Sequence, residues 1–134
     1  VEAPLEYADF LVDGNILAAD TPQGVQAFRV SNPSKKSSKI SIRAWHVFYD
    51  SKNYLIADSN VVDKNCNDAL DHLNSATEPQ STFTTISDVQ AVDSFRCVRK
   101  SLYEAIQTVL ERWGGQIVMV RMKQCSYTQT ILVI

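Results

Sequence analysis

The chain has 134 residues, 45% of them hydrophobic and 21% charged, and a formal net charge of −2. A chain of that length fits one domain that buries roughly two-thirds of its unfolded surface, so it folds without a metal or disulfide staple. The composition excludes a disordered chain, the slight acidity argues against nucleic acid as a partner, because phosphate binders need a basic excess, and no apolar run approaches the roughly eighteen residues of a membrane helix.

The charge is unevenly spread. Residues 1–34 carry Glu2, Glu6, Asp9, Asp13 and Asp20 against Arg29 alone, a net of −4, which leaves +2 on residues 35–134. An acidic N-terminal third over a slightly basic body suits self-complementarity or a partner surface, and solvated loops and strand faces explain it as well. Short apolar pieces in residues 1–30, broken by Asp13-Gly14-Asn15 and Pro22-Gln23-Gly24, predict short strands with a hairpin around Gly14. The polar run from Ser31 through Pro33, Lys35 and Lys36 to Lys39 reads as a surface loop.

Residues 40–49 alternate with period two. Ile40, Ile42, Ala44, His46 and Phe48 share one face, and Ser41, Arg43, Trp45, Val47 and Tyr49 the other, which predicts a central strand. A turn at Asp50–Asn53 and a return strand Tyr54–Ala57 would complete a hairpin. The period then changes: Cys66, Ala69, Leu70 and Leu73 fall at helical spacing over 63–74, with Asp63 as N-cap. Residues 82–95 are β-rich. Ser101 and Glu104 form a capping box ahead of the stripe Leu102, Ile106, Val109, Leu110 and Trp113, and Gly114-Gly115 supplies the stop. Ile117–Met122 and Thr130–Ile134 read as strands. The predicted fold class is α+β, a two-layer α/β sandwich with a mainly antiparallel sheet and two helices on one face. It forms a single domain over 1–134, with 1–34 as an acidic strand-rich segment and 40–134 as the sandwich body.

No residue pattern supplies a cofactor. The chain lacks C-x-x-C, H-x-x-x-H and calcium-loop spacings, and it lacks phosphate-cradling glycine motifs. His46 sits on a strand face among apolar neighbours, as a hydrogen-bonded core-edge histidine would. Cys66 and His72 are six residues apart on one helix, about 120° around its axis, so they do not face each other as a nucleophile pair. Asp68 and Asp71 share a polar helix face, which suits solvation better than glycoside hydrolysis. Two basic clusters stand out: Lys35, Lys36, Lys39 and Arg43, and again Arg96, Arg99 and Lys100. Trp45, Tyr49, Phe95 and Tyr103 lie near them, an arrangement suited to stacking RNA bases, but no ribonucleoprotein-type aromatic motif accompanies it. The first cluster is therefore read as a candidate partner-binding surface.

The three cysteines sit at informative places. Cys66 lies in Asn65-Cys66-Asn67-Asp68-Ala69-Leu70, Cys97 in Phe95-Arg96-Cys97-Val98 ahead of the long helix, and Cys125 in Met122-Lys123-Gln124-Cys125 after Arg112-Trp113-Gly114-Gly115-Gln116. This order over residues 60–130 resembles the secreted fungal killer toxins and their related cysteine-bearing effector proteins. The resemblance implies a compact α/β sandwich, secretion and toxicity to competing microbes. It also implies a second subunit cut from the same precursor and held by a disulfide or by intertwined strands. Only the cysteines map, as structural positions. Cys66, Cys97 and Cys125 are thus the disulfide or inter-chain candidates, with Cys97 or Cys125 expected to pair within the chain. A start at Val1 suits a processed mature form or a fragment. The leading expectation is a secreted, non-enzymatic toxin or effector-like domain that binds a cell-wall or membrane target. The alternative is an intracellular protein-interaction domain or complex subunit with buried free thiols. A small hydrolase with a site assembled from scattered residues is the third reading.

Overall fold

A computed structural model describes residues 1–121 and 129–133. The fold is α+β and mainly antiparallel. The chain divides into two compact units, Val1–Tyr49 and Asp50–Ile134. Residues 34–40 are not the boundary, because the strands that flank them pair with each other.

The first unit holds β1 (Glu2–Pro4), β2 (Ile16–Thr21), β3 (Gly24–Lys35) and β4 (Lys39–His46) in one antiparallel sheet of order β1-β4-β3-β2. Successive side chains of β4 point to opposite faces, and its sequence exploits this. Ile40 and Ile42 are buried, whereas Arg43 and Trp45 are exposed. Val30, Ile40 and Ile42 form the unit's core, against which Ala3, Ala8, Leu11 and Leu17 pack. Residues 5–13, which open with the 3-10 turn Leu5–Tyr7, therefore lie over that face of the sheet.

The hairpin predicted around Gly14 forms instead at Pro22-Gln23, with Thr21 opposite Gly24. The Thr21 hydroxyl donates to the Gly24 carbonyl at 2.8 Å and accepts from the Gln23 amide at 3.2 Å. Gly24 has φ +98, a conformation that needs glycine. The polar run 31–39 is mostly strand rather than loop. β3 continues to Lys35, and the Lys36 amide donates to the Lys39 carbonyl at 2.8 Å. Its composition misleads because Asn32 and Pro33 occupy a bulge between Ser31 and Ser34, where Asn32 has φ 51 and proline's missing N–H breaks no ladder bond.

The second unit contains β5 (Leu55–Asn65), α1 (Cys66–Ser75), β6 (Thr77–Glu78), β7 (Phe83–Ser87), β8 (Val92–Ser101), α2 (Leu102–Trp113), β9 (Ile117–Arg121) and β10 (Gln129–Val133). One sheet runs β6-β5-β8 and is antiparallel. The other runs β7-β10-β9, with β10 parallel to β7 and antiparallel to β9. The hairpin predicted over 40–57 does not form. A 3-10 segment, Val47–Asn53, follows β4, which pairs with β1 and β3, while β5 pairs with β6 and β8.

Both helices follow the local sequence closely. The stripe Cys66, Ala69, Leu70 and Leu73 is buried. The N-cap is Asn65, whose side chain accepts from the Asp68 amide at 2.9 Å, two residues later than the predicted Asp63. Asp63 instead sits at a bulge with φ 50, its amide donating to the Ser94 hydroxyl at 3.0 Å. In α2 the Ser101 hydroxyl accepts from the Glu104 amide at 3.3 Å. Leu102, Ala105, Ile106, Val109 and Trp113 are buried, and each large aliphatic among them contributes roughly 1.5–3 kcal/mol. Gly114, at φ 78, ends the helix by donating to the Leu110 carbonyl at 2.8 Å. Helix α1 packs on β5 and β7, α2 packs on β8, and the two helices touch each other.

Candidate interaction surface

Directly opposed residues of antiparallel strands share a face. Ile16 opposes Arg29, Arg29 opposes Trp45, and Ser31 opposes Arg43. Ile16, Arg29, Arg43 and Trp45 therefore occupy the face of the first unit's sheet that turns away from Val30, Ile40 and Ile42. Trp45 keeps 53% of its surface exposed. The Tyr49 ring meets it edge-on, with centroids 5.9 Å apart and planes at 78°. The Arg29 guanidinium donates to the Gly14 carbonyl at 2.7 Å, which fixes one cation of this face. A large aromatic on an interior strand, braced by a second ring yet left in water, is an anchor of the kind that dominates binding energies at interfaces.

The four predicted partner-binding cations are not equivalent. Arg43 stands on the Trp45 face and is exposed. Lys39 begins the same row, 3.6 Å from the Glu2 carboxylate. That exposed ion pair is worth at most about 1 kcal/mol. Lys35 opposes Ile40 at the end of β3, and Lys36 lies in the turn, both exposed. The opposite side of the unit carries a feature that sequence reading missed. Leu5, Tyr7, Phe10 and Val12 are exposed, Phe10 by 72%, interleaved with Glu6, Asp9 and Asp13. Without the fold, these apolar residues read as core candidates.

The two histidines occupy different settings. His46 Nδ1 accepts from the Phe48 amide at 3.1 Å, so its proton resides on Nε2, 3.1 Å from Gln26 Oε1. Phe28 meets the ring edge-on at 5.3 Å. Burial disfavours the charged ring and lowers its pKa. In the second unit, His72 Nδ1 lies 2.6 Å from the Ser59 hydroxyl, tying α1 to β5. Ser59 is only 2% exposed, so a substrate has no approach to its oxygen. Among the described residues neither imidazole hydrogen-bonds a carboxylate, and no group of three His, Cys, Asp or Glu side chains is placed to hold a metal.

Cys66 and Cys97 are buried and carry free thiols in this structure. Cys66 faces inward from α1 and Cys97 inward from β8, opposite Ser59. Burial raises the pKa of both, which disfavours the reactive thiolate. Cys125 lies outside the described residues. In the second basic cluster Arg96 pairs with Asp58 at 3.1 Å, and Arg99 adopts φ 51. Phe95 is core, packed edge-on to Trp113.

No family model matches the chain, and no curated protein matches it. The fold is similar to that of a prophage tail protein. This is gp18 of Listeria monocytogenes EGD-e, with a TM-score of 0.54 at 15% identity over 81% of this chain and 33% of that one. The chain thus spans about a third of that protein's length.

Proposed function

We propose that this chain is a non-catalytic protein-interaction module, a subunit or part of a subunit in a larger protein assembly, and that it binds through the exposed Trp45 face of its N-terminal sheet. The observation that carries the reading is Trp45 itself, 53% exposed on an interior strand and flanked by Arg43. Tryptophan and arginine are the residues most enriched at the energetic centres of interfaces. The buried free thiols of Cys66 and Cys97 suit a chain that does not depend on disulfides, and they lend no support to the toxin-like reading of the cysteine spacing. Similarity in fold to part of a prophage tail protein, about a third of which it covers, adds a neighbour named for a phage tail. In the second unit we also infer a two-layer arrangement, with α1 and α2 forming one layer on the strands. Its support is that each helix packs on strands and on the other helix.

The test is co-sedimentation. Extracts of cells producing the tagged wild-type chain or Arg43→Glu/Trp45→Ser are layered on a sucrose gradient, and the chain is located by peptide mass mapping. The wild type should travel with a particle much heavier than 15.0 kDa, and the variant should remain near the top. A wild-type chain that stays at monomer mass would defeat the reading.

A further inference from the structure

The N-terminal unit carries two complementary patches on opposite faces of one sheet. On one side Arg43 and Trp45 stand outward, in the same row as Lys39. On the other, residues 5–13 cover the core and present Glu6, Asp9 and Asp13 among exposed Tyr7, Phe10 and Val12. Among the described residues none of Glu6, Asp9, Asp13, Lys35, Lys36 and Arg43 has an ion-pair partner. The strand alternation that buries Val30, Ile40 and Ile42 on one side forces Arg43 and Trp45 to the other, so the acidic and basic patches of one unit cannot meet. The five acidic and five basic residues between positions 1 and 49 cancel, so the unit is dipolar rather than repulsive to its own copies.

Resting on the interaction-module reading, we infer that the partner is a second copy of this chain, with the Glu6–Asp13 patch of one copy docking on the Arg43–Trp45 face of the next. Patches on opposite faces give a head-to-tail contact, which closes into a ring or extends as a stack and does not stop at a two-fold dimer. Charge complementarity sets the orientation, and Phe10 and Trp45 supply the apolar area that resists salt.

Sedimentation velocity from about 1 to about 100 μM reads the outcome. The wild type should rise above 15.0 kDa with concentration. Asp9→Lys/Phe10→Ser and Arg43→Glu/Trp45→Ser should each weaken association at least about tenfold. Mixed together, they should associate through the junction left intact. The single reversals Asp9→Lys and Arg43→Glu, at exposed sites, repeat the test if a double variant melts early. Overturning results are a monomeric wild type across the range, undiminished association of either variant, or no pairing in the mixture. A monomer that still enters a heavy particle in cell extracts would overturn self-docking and leave the interaction-module reading standing.

Discussion

Trp113 closes α2 and is the test of how the second unit is held together. Its indole is 5% exposed, lies edge-on to Phe95 at 6.2 Å, and donates from Nε1 to the Lys64 carbonyl at 3.0 Å. A buried tryptophan removes about 150–250 Å² from water. At about 25 cal/mol per Å² that corresponds to roughly 4–6 kcal/mol, an upper value because the unfolded chain is already partly compact. Large-to-small changes at such sites cost about 3–5 kcal/mol. The hydrogen bond adds about 1 kcal/mol at most, because Lys64 is exposed and water can replace the donor. Trp113→Ala should therefore lose about 3–5 kcal/mol, a large part of the roughly 5–15 kcal/mol of a typical domain. Trp113→Phe, which keeps most of the ring contact, should lose about 1–2 kcal/mol. Urea unfolding followed by far-ultraviolet circular dichroism measures both without relying on indole fluorescence. A loss below about 1 kcal/mol for Trp113→Ala would refute the packing argument.

Three further outcomes are expected. His46 titrates near 6.5 when unfolded and lower when folded, so its unfolded form binds the proton first. Stability should fall as pH drops through the 6.5 region toward the folded value, and His46→Gln should remove that part of the pH dependence in paired melts; identical slopes would contradict it. Cys66 and Cys97 should resist iodoacetamide in the native protein and react fully in urea, as read by peptide mass mapping, whereas native labelling or a disulfide at either would sink their assignment as buried thiols. Asn65→Ala should destabilise by about 1 kcal/mol through loss of the α1 cap, and Asp63→Ala should leave α1 capped; helix loss in the second variant and none in the first would reverse the assignment.

What was legible in the sequence was local. The Cys66/Ala69/Leu70/Leu73 stripe and the Ser101–Glu104 cap with Gly114 set the helices, because helical bonds join residues three and four apart. The alternation of residues 40–46 likewise placed Arg43 and Trp45 on one face and the core on the other. Pairing was not legible. β5 finds β8 about forty residues later, and nothing in Tyr54–Ala57 distinguishes that partner from the nearer β4. The bulged end of β3 read as loop because a backbone ladder tolerates polar side chains and a proline at a bulge. Ser59 and His72 carried no signal either, since a strand and a helix bring them together. For the candidate surface, the basic residues were visible, but the acidic apolar side needed the fold to show that Phe10 is outside.

The most direct measurement is the native mass of the 134-residue chain in solution, taken without and then with reductant. The account predicts a species heavier than 15.0 kDa that reductant leaves unchanged, because non-covalent docking holds it together. A lone chain of 15.0 kDa, or a heavier species that collapses when reduced, would contradict it.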